Sequence, residues 1–308
     1  MKKILLALVA LTFLFSACNK EGVYSPKKKI AAVYYQKDGN EQKELLESYH
    51  WDGNKLKSRM YRASLLSQYS DDFEVVPTYD GKRIVRVDET ISGEYVEYIY
   101  EGKLLTKLSY HSGNEYADAT VEHKDGKITR IFIPGKSSSK VCAEKLTNML
   151  LPVNEVQCIS KQMQQSSKTL AGRDQELLFT WDGDNIAAHK LVGYYDDGSI
   201  VLSYEATYEY DNMINPFSIN WSDFGSQSNT CQHAIYAQML TMSKNNVTKI
   251  NGTFNAYITP EWAITQNEIY NISYEYDGKY PVKATRTGTI QAAKGETTPE
   301  TYYYEYVK

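Results

Sequence analysis

From residue 30 onward the polar and apolar positions of the chain alternate in twos. In Tyr204-Glu205-Ala206-Thr207-Tyr208-Glu209-Tyr210-Asp211, the Tyr and Ala residues fall on one face of an extended strand, and Glu, Thr and Asp fall on the other. The same phase returns in Tyr270-Asn271-Ile272-Ser273-Tyr274-Glu275-Tyr276-Asp277 and, more weakly, in Tyr302-Tyr303-Tyr304-Glu305-Tyr306. Between such runs a short unit recurs: an aromatic residue or His, an acid and a glycine, then a basic or polar residue and an aliphatic one. Its instances include Trp51-Asp52-Gly53-Asn54-Lys55-Leu56, Tyr79-Asp80-Gly81-Lys82, Tyr100-Glu101-Gly102-Lys103-Leu104, Asp125-Gly126-Lys127-Ile128, Trp181-Asp182-Gly183-Asp184, Asp197-Gly198-Ser199-Ile200 and Tyr276-Asp277-Gly278-Lys279. Asp-Gly between alternating runs predicts a two-residue hairpin with a type I′ turn, because both central residues of that turn need positive φ. So many copies predict a mostly β fold: an antiparallel meander of repeated hairpins in a twisted or two-layer sheet, wet on one side. Unequal turn spacing argues for hairpins of different lengths and against a rigid solenoid.

Two stretches leave this pattern. Val141 to Leu151 carries Leu146, Met149 and Leu150 at helical spacing, and Gln232 to Ser243 carries Ile235, Met239 and Met242 similarly, so one or two short helices are expected. The turn-rich Gly135 to Ser139 segment suggests a soft division of the 30–308 repeat region near residue 140. Asn215-Pro216-Phe217 and Tyr280-Pro281-Val282 are places where proline would end pairing or mark an edge.

The first 17 residues have a different character. Lys2 and Lys3 precede the apolar run Ile4 to Leu11, then Thr12-Phe13-Leu14-Phe15 and small residues, which is the layout of an export signal. The run is shorter than the roughly 20 apolar residues of a membrane span. Ser16-Ala17-Cys18 resembles the bacterial lipobox, which implies that Cys18 becomes the lipidated N-terminus, with Phe15 departing from the usual aliphatic position. Residues 18–29, polar and ending in three lysines, then form a tether that holds the folded part near a bilayer.

Composition narrows the class further. Tyr (27) far outnumbers Phe (8) and Trp (4), which suits half-wet strands. Net charge is −4, and loss of Lys2 and Lys3 makes it more acidic still, so nucleic acid is not expected as a partner. An exported chain meets an oxidising compartment, where Cys142 and Cys158 could form a disulfide and leave Cys231 as the odd thiol; buried free thiols are the alternative.

Taken together, the lipobox-type leader, the Tyr-Asp-Gly-Lys hairpins, Tyr208-Glu209-Tyr210-Asp211 with Asn215-Pro216-Phe217, and Ser243-Lys244-Asn245-Asn246-Val247 are similar to uncharacterised outer-membrane lipoproteins of Bacteroidota with Tyr-Asp repeat-like sheets. That resemblance implies an outer-membrane, lipid-anchored location with the membrane face unresolved, and a β fold. It implies no activity.

Familiar catalytic signatures are absent: the chain has no Gly-x-Ser-x-Gly, His-Glu-x-x-His, Walker-type or Gly-x-Gly-x-x-Gly motif. His50, His111, His123, His189 and His233 are scattered without metal-ligand spacing, so no metal or cofactor is expected. Cys231-Gln232-His233 would not face each other on a helix, and the Asp182 to Asn185 and Tyr195 to Gly198 acids are explained by turns rather than calcium loops. The aromatic excess is the remaining candidate chemistry. Tyr and Trp offer flat apolar faces with polar tips, which suits glycans, and Trp51, Trp181, Trp221 and Trp262 are the first candidates; the competing reading puts these rings on the core side. The expectation is a non-enzymatic envelope lipoprotein that binds a polysaccharide or a protein partner. A surface-anchored glycoside hydrolase with convergent acids and a structural envelope scaffold are the alternatives.

Overall fold

The computed structural model describes residues 27–37, 42–62, 72–135, 139–150, 173–218, 242–259, 262–290, 295–296 and 299–308. The strands run β1 (Ile30–Lys37), β2 (Glu44–Asp52), β3 (Lys55–Tyr61), β4 (Phe73–Asp80), β5 (Arg83–Glu89), β6 (Tyr95–Glu101), β7 (Leu104–Ser112), β8 (Glu115–Lys124) and β9 (Lys127–Ile133). One helix, α1 (Lys140–Leu150), follows. Then come β10 (Gln175–Asp182), β11 (Asn185–Tyr194), β12 (Ile200–Tyr210), β13 (Val247–Thr259), β14 (Trp262–Asp277), β15 (Tyr280–Ile290), the two-residue β16 (Gly295–Glu296) and β17 (Glu300–Tyr306).

Every strand from β1 to β15 pairs antiparallel with the next, as the meander predicts, but the sheet has no free ends. β17 pairs with β15 on one side and with β1 on the other, Tyr35 opposite Tyr302 and Val33 opposite Tyr304. Among the described residues this is a closed barrel of sixteen strands, with β16 a short flap on β15. The expected twisted or two-layer sheet is therefore corrected. The reason is the C-terminal Tyr run, which takes up the open edge of β1; closure is the complete way to remove two unpaired edges. β9 also pairs with β10, so the sheet crosses the position near residue 140 without interruption.

Turn chemistry needs a second correction. Asp52, Asp80, Asp182 and Asp277 close their strands by pairing with Lys55, Arg83, Asn185 and Tyr280. The central residues are then Gly53-Asn54, Gly81-Lys82, Gly183-Asp184 and Gly278-Lys279, and only the glycine has positive φ. Glycine first with positive φ is the type II′ pattern. Asp125-Gly126 alone follows type I′, with φ of 54° and 75°. Pro281 lies inside β15, opposite Tyr276 where the register shifts, and so sits at a bulge rather than ending the strand.

The apolar face points inward. Leu108, Ile131, Leu177, Leu191 and Tyr204 are 0% exposed, whereas Glu205, Thr207 and Glu209, one step out of phase with Tyr204 and Tyr208, are exposed. Sixteen strands in a porin leave an aqueous channel. Here the inward side chains make one buried core, so water does not reach them. α1 packs on β7 and β8, with Cys142, Ala143, Leu146 and Leu150 buried in that core. Ser139 caps its N-terminus through Oγ and anchors it to Glu115 and the Tyr116 carbonyl. The helix matches the Val141 to Leu151 expectation within a residue, while the one expected over Gln232 to Ser243 lies almost wholly outside the described residues.

Candidate functional site

An aromatic residue or His near the end of alternate strands has one job, repeated round one end of the barrel. Trp51 Nε1 donates to the Ile30 carbonyl, Tyr79 Oη to Leu56, Tyr100 Oη to Ile84 and His123 Nε2 to Leu105, at 2.7–3.0 Å. Trp181 reaches Ile128, Tyr210 reaches Ile186, Tyr274 reaches Val247 and Tyr306 reaches Pro281, at 2.7–2.8 Å. In each case the ring at the end of one hairpin bonds a carbonyl of the neighbouring hairpin, and the eight clasps complete the circle. A register shift immediately precedes Trp51, Tyr79, Tyr100, His123, Trp181 and Tyr210. Such a bulge re-aims a side chain, here onto the next hairpin.

This places the tryptophans proposed for ligand contact. Trp51 and Trp181 pack against the core with their N–H groups engaged, and Lys29 and Lys127 lie over their rings. Trp262 opens β14, and its side chain lies outside the described residues together with Trp221. Cys142 is a buried thiol whose pKa burial raises; Cys18, Cys158 and Cys231 lie outside the described residues.

Outside the barrel the structure assembles a different aromatic group. Asp88, Tyr95, His111 and Tyr116 are directly opposed on β5 to β8 and form one outward rung. Tyr95 and His111 stack at 4.4 Å and 11°, His111 and Tyr116 at 6.1 Å and 30°, and the Arg86 guanidinium covers Tyr95 at 3.5 Å. The adjoining rung holds Glu97, Ser109 and Asp118. Ser109 Oγ donates to Asp118 at 2.6 Å and sits 3.0 Å from His111 Nε2, and Lys107 pairs with Asp118 at 2.7 Å. Ser, His and Asp are thus adjacent, but in the wrong order for a nucleophile. In a catalytic triad the acid orients the imidazole, whereas Asp118 takes the serine proton. Tyr116, 48% exposed, ends the stack with an open face.

Inside, a charged belt crosses from β14 through the β17–β1 closure to β3. Arg286 Nε donates to Glu300 at 3.0 Å, and Arg59 Nη2 to Glu47 at 3.1 Å, all four being partly or wholly buried. Each acid is bonded by the tyrosine two residues later: Tyr49 to Glu47 at 2.6 Å, Tyr270 to Glu268 at 3.4 Å and Tyr302 to Glu300 at 3.2 Å. Burial raises the pKa of Glu268, which also accepts from Tyr204 at 2.8 Å, against the lowering effect of those hydroxyls. Burial likewise works against the Arg286 charge, but Tyr302, Glu300 and Tyr270 outweigh it and the pKa is raised. A second node ties the helix down. Burial would raise Glu94, yet hydrogen bonds from Lys145 on α1, Tyr110 and Ser112 prevail and hold it below the ordinary carboxylate range. Sequence reasoning missed the belt. Its signal was the Glu-x-Tyr spacing at Glu47, Glu268 and Glu300, where an acid stands in the tyrosine phase.

No family model and no curated protein matches the chain. Among solved structures it is similar to a porin-like protein from Bacteroides uniformis ATCC 8492, with a TM-score of 0.50, 10% identity, and coverage of 93% of this chain and 100% of that one. At that identity the likeness shows the barrel fold.

Proposed function

We propose that the protein is a non-enzymatic cell-envelope binding module, anchored through lipid on Cys18 and standing in water as a sealed barrel, and that it forms no pore. The carrying observation is its polarity. A membrane barrel needs an outward apolar band about 25 Å tall with aromatic girdles. Here the apolar face is inward, and among the described residues the exposed large hydrophobic side chains are only Ile91, Ile99, Tyr116, Val141, Ile269 and Val307. The fold likeness to a porin-like protein supports an outer-membrane setting, while the buried interior speaks against conduction.

The partner, polysaccharide or protein, would meet the outer wall. The Tyr95–His111–Tyr116 rung is the aromatic surface offered there, flanked by Asp88, Glu97 and Lys107 as hydrogen-bonding groups. The test has two arms. Cys18→Ala should move the protein from the membrane to the soluble fraction of cells, and purified protein added to planar bilayers should give no conductance. Stepwise channel openings would overturn the sealed-barrel reading, and a membrane location unchanged by Cys18→Ala would overturn the anchor. Retention on a polysaccharide or envelope-protein panel should fall at least tenfold in Tyr116→Ala if this rung is the contact.

A further inference from the structure

Every hairpin turn that carries a clasp lies at one end of the barrel, and the chain enters and leaves at that same end. β1 starts there at Ile30 and β17 finishes there at Tyr306. The lysines before β1 are fastened to it: the Lys27 and Lys28 amides donate to Tyr280 Oη, at 2.9 and 3.1 Å, Lys28 Nζ pairs with Asp277 at 3.0 Å, and Lys29 Nζ reaches the Gly53 carbonyl. Residue 27 is therefore fixed at the clasp end. The eight residues between Cys18 and Lys27 span at most about 30 Å.

The charge of the barrel is unevenly placed along its axis. Each clasp-end glycine turn carries an acid, but cations are doubled at Lys82 and Arg83 and at Lys124 and Lys127, and Lys55, Lys103, Lys244 and Lys279 add to the Lys27 to Lys29 run. Among the described residues these eleven cations outnumber the eight acids of the same turns, Asp52, Asp80, Glu101, Asp125, Asp182, Asp184, Asp211 and Asp277. The opposite end gathers Glu89, Glu94, Glu115, Asp174, Asp196 and Asp197 on its connections, which Lys43, Lys140, Lys145 and Arg173 offset only in part among the described residues, and the whole chain is net negative. A net-acidic protein is repelled as a whole by an anionic membrane, so attraction requires the basic end to lead within a Debye length, about 8–10 Å.

We propose that the ring of glycine turns at the clasp end is a docking surface for anionic phospholipid head groups, so that the barrel stands on the bilayer on its turns and presents its wall and its helix end away from the membrane. Two observations select the occupant: the described chain starts at this end, at Lys27, and the phosphodiester charge complements the Lys and Arg excess found there. A lipid tether leaving from Lys27 rests on the Cys18 reading, while the charge complementarity does not.

The experiment uses the lipid-free chain from residue 19 onward, which contains the entire closed barrel, with vesicles of phosphatidylcholine alone or with 30 mol% phosphatidylglycerol. Two variants have the same net charge. One carries Lys82→Glu, Lys103→Glu and Lys279→Glu in the turns; the other carries Lys43→Glu, Lys140→Glu and Arg173→Glu at the opposite end. Circular dichroism and thermal melting confirm that both are folded. The expected result is salt-sensitive sedimentation with anionic vesicles only, lost by a hundredfold or more in the turn variant at roughly fivefold per charge removed, and changed less than fivefold in the other. Equal losses in both variants would show attraction without orientation and overturn the proposal, as would no binding to anionic vesicles. Because this protein carries no lipid, either failure leaves the anchor to be judged separately by the Cys18→Ala fractionation.

Discussion

At the scale of single residues, the interior is specified by polar contacts that leave little slack. Gly252 on β13 is a close-approach glycine. A Cβ there would fall against Tyr204 Oη and 2.9 Å from Glu268 Oε1. Gly252→Ala should therefore cost about 1–3 kcal/mol, the usual penalty of overpacking. Tyr204→Phe removes the obstructing hydroxyl, so the double variant should lose less than the sum of the two singles; strict additivity in urea denaturation would sink this account. His189 gives the pH dependence. Burial depresses its pKa to about 3, and Tyr208 Oη lies 2.7 Å from Nδ1, so the folded imidazole is neutral. The unfolded chain takes up a proton near pH 6.5 and the folded chain only near pH 3. Between those values the unfolded state binds more protons, so His189 removes about 1.4 kcal/mol of stability for each unit that pH falls from 6.5 toward 3. His189→Gln should flatten that part of the stability curve, and an unchanged slope would place the acid sensitivity elsewhere.

At the scale of elements, the clasps give five of the 27 tyrosines a common role. A ring at the end of a strand supplies apolar cover for the core and one donor, and the neighbouring hairpin has a carbonyl waiting for it. Each clasp is a hydrogen bond worth about 0.5–1.5 kcal/mol net. Tyr100→Phe and Tyr274→Phe act on hairpins far apart in the barrel, at Ile84 and Val247. Each should lower Tm by about 2–4 °C, and the two losses should add within about 0.5 kcal/mol. Faster amide exchange confined to the two affected hairpins would confirm that the clasps act locally. The hairpins, their unequal lengths and the inward phase of the tyrosines were legible because a two-residue period survives in any single strand. The clasps were not, since the acceptor is a backbone carbonyl 16 to 53 residues away that no side-chain pattern marks. Turn type was misread for a related reason. Asp-Gly fits type I′, but the bulge beside the aromatic shifts the register by one and moves Asp52, Asp80, Asp182 and Asp277 out of the turn and into the strand. The outward rung escaped notice as well, because His111 meets Tyr95 and Tyr116 across strands that the sequence separates by unequal turns.

At the scale of the whole molecule, closure is the property the sequence could not display, because it joins the two ends of the chain. The residues of Tyr302-Tyr303-Tyr304 alternate like any other strand, and nothing local says that their partners are Tyr35, Tyr34 and Val33. The energetic consequence lies in the charged belt. β17 supplies Glu300, the partner of Arg286, whose side chain is 8% exposed. A chain ending at residue 299 would leave that guanidinium buried without its carboxylate, a loss of about 3–5 kcal/mol. It would also open two strand edges, β1 and β15, to solvent and to other molecules. Such a chain should lose its cooperative melt and form concentration-dependent aggregates by light scattering, and a synthetic peptide of residues 300–308 added during refolding should restore part of the monomer by strand addition. A monomeric truncated chain with unchanged Tm would mean that β17 only decorates an otherwise complete sheet. The same pairing sets the folding rate, since contacts between residues near 33 and near 304 are among the most distant the chain can make, and loop closure must precede them. Arg286→Met with Glu300→Leu separates the two roles: it removes the buried charges but keeps the strand, so it should retain the monomer and the cooperative melt that truncation abolishes.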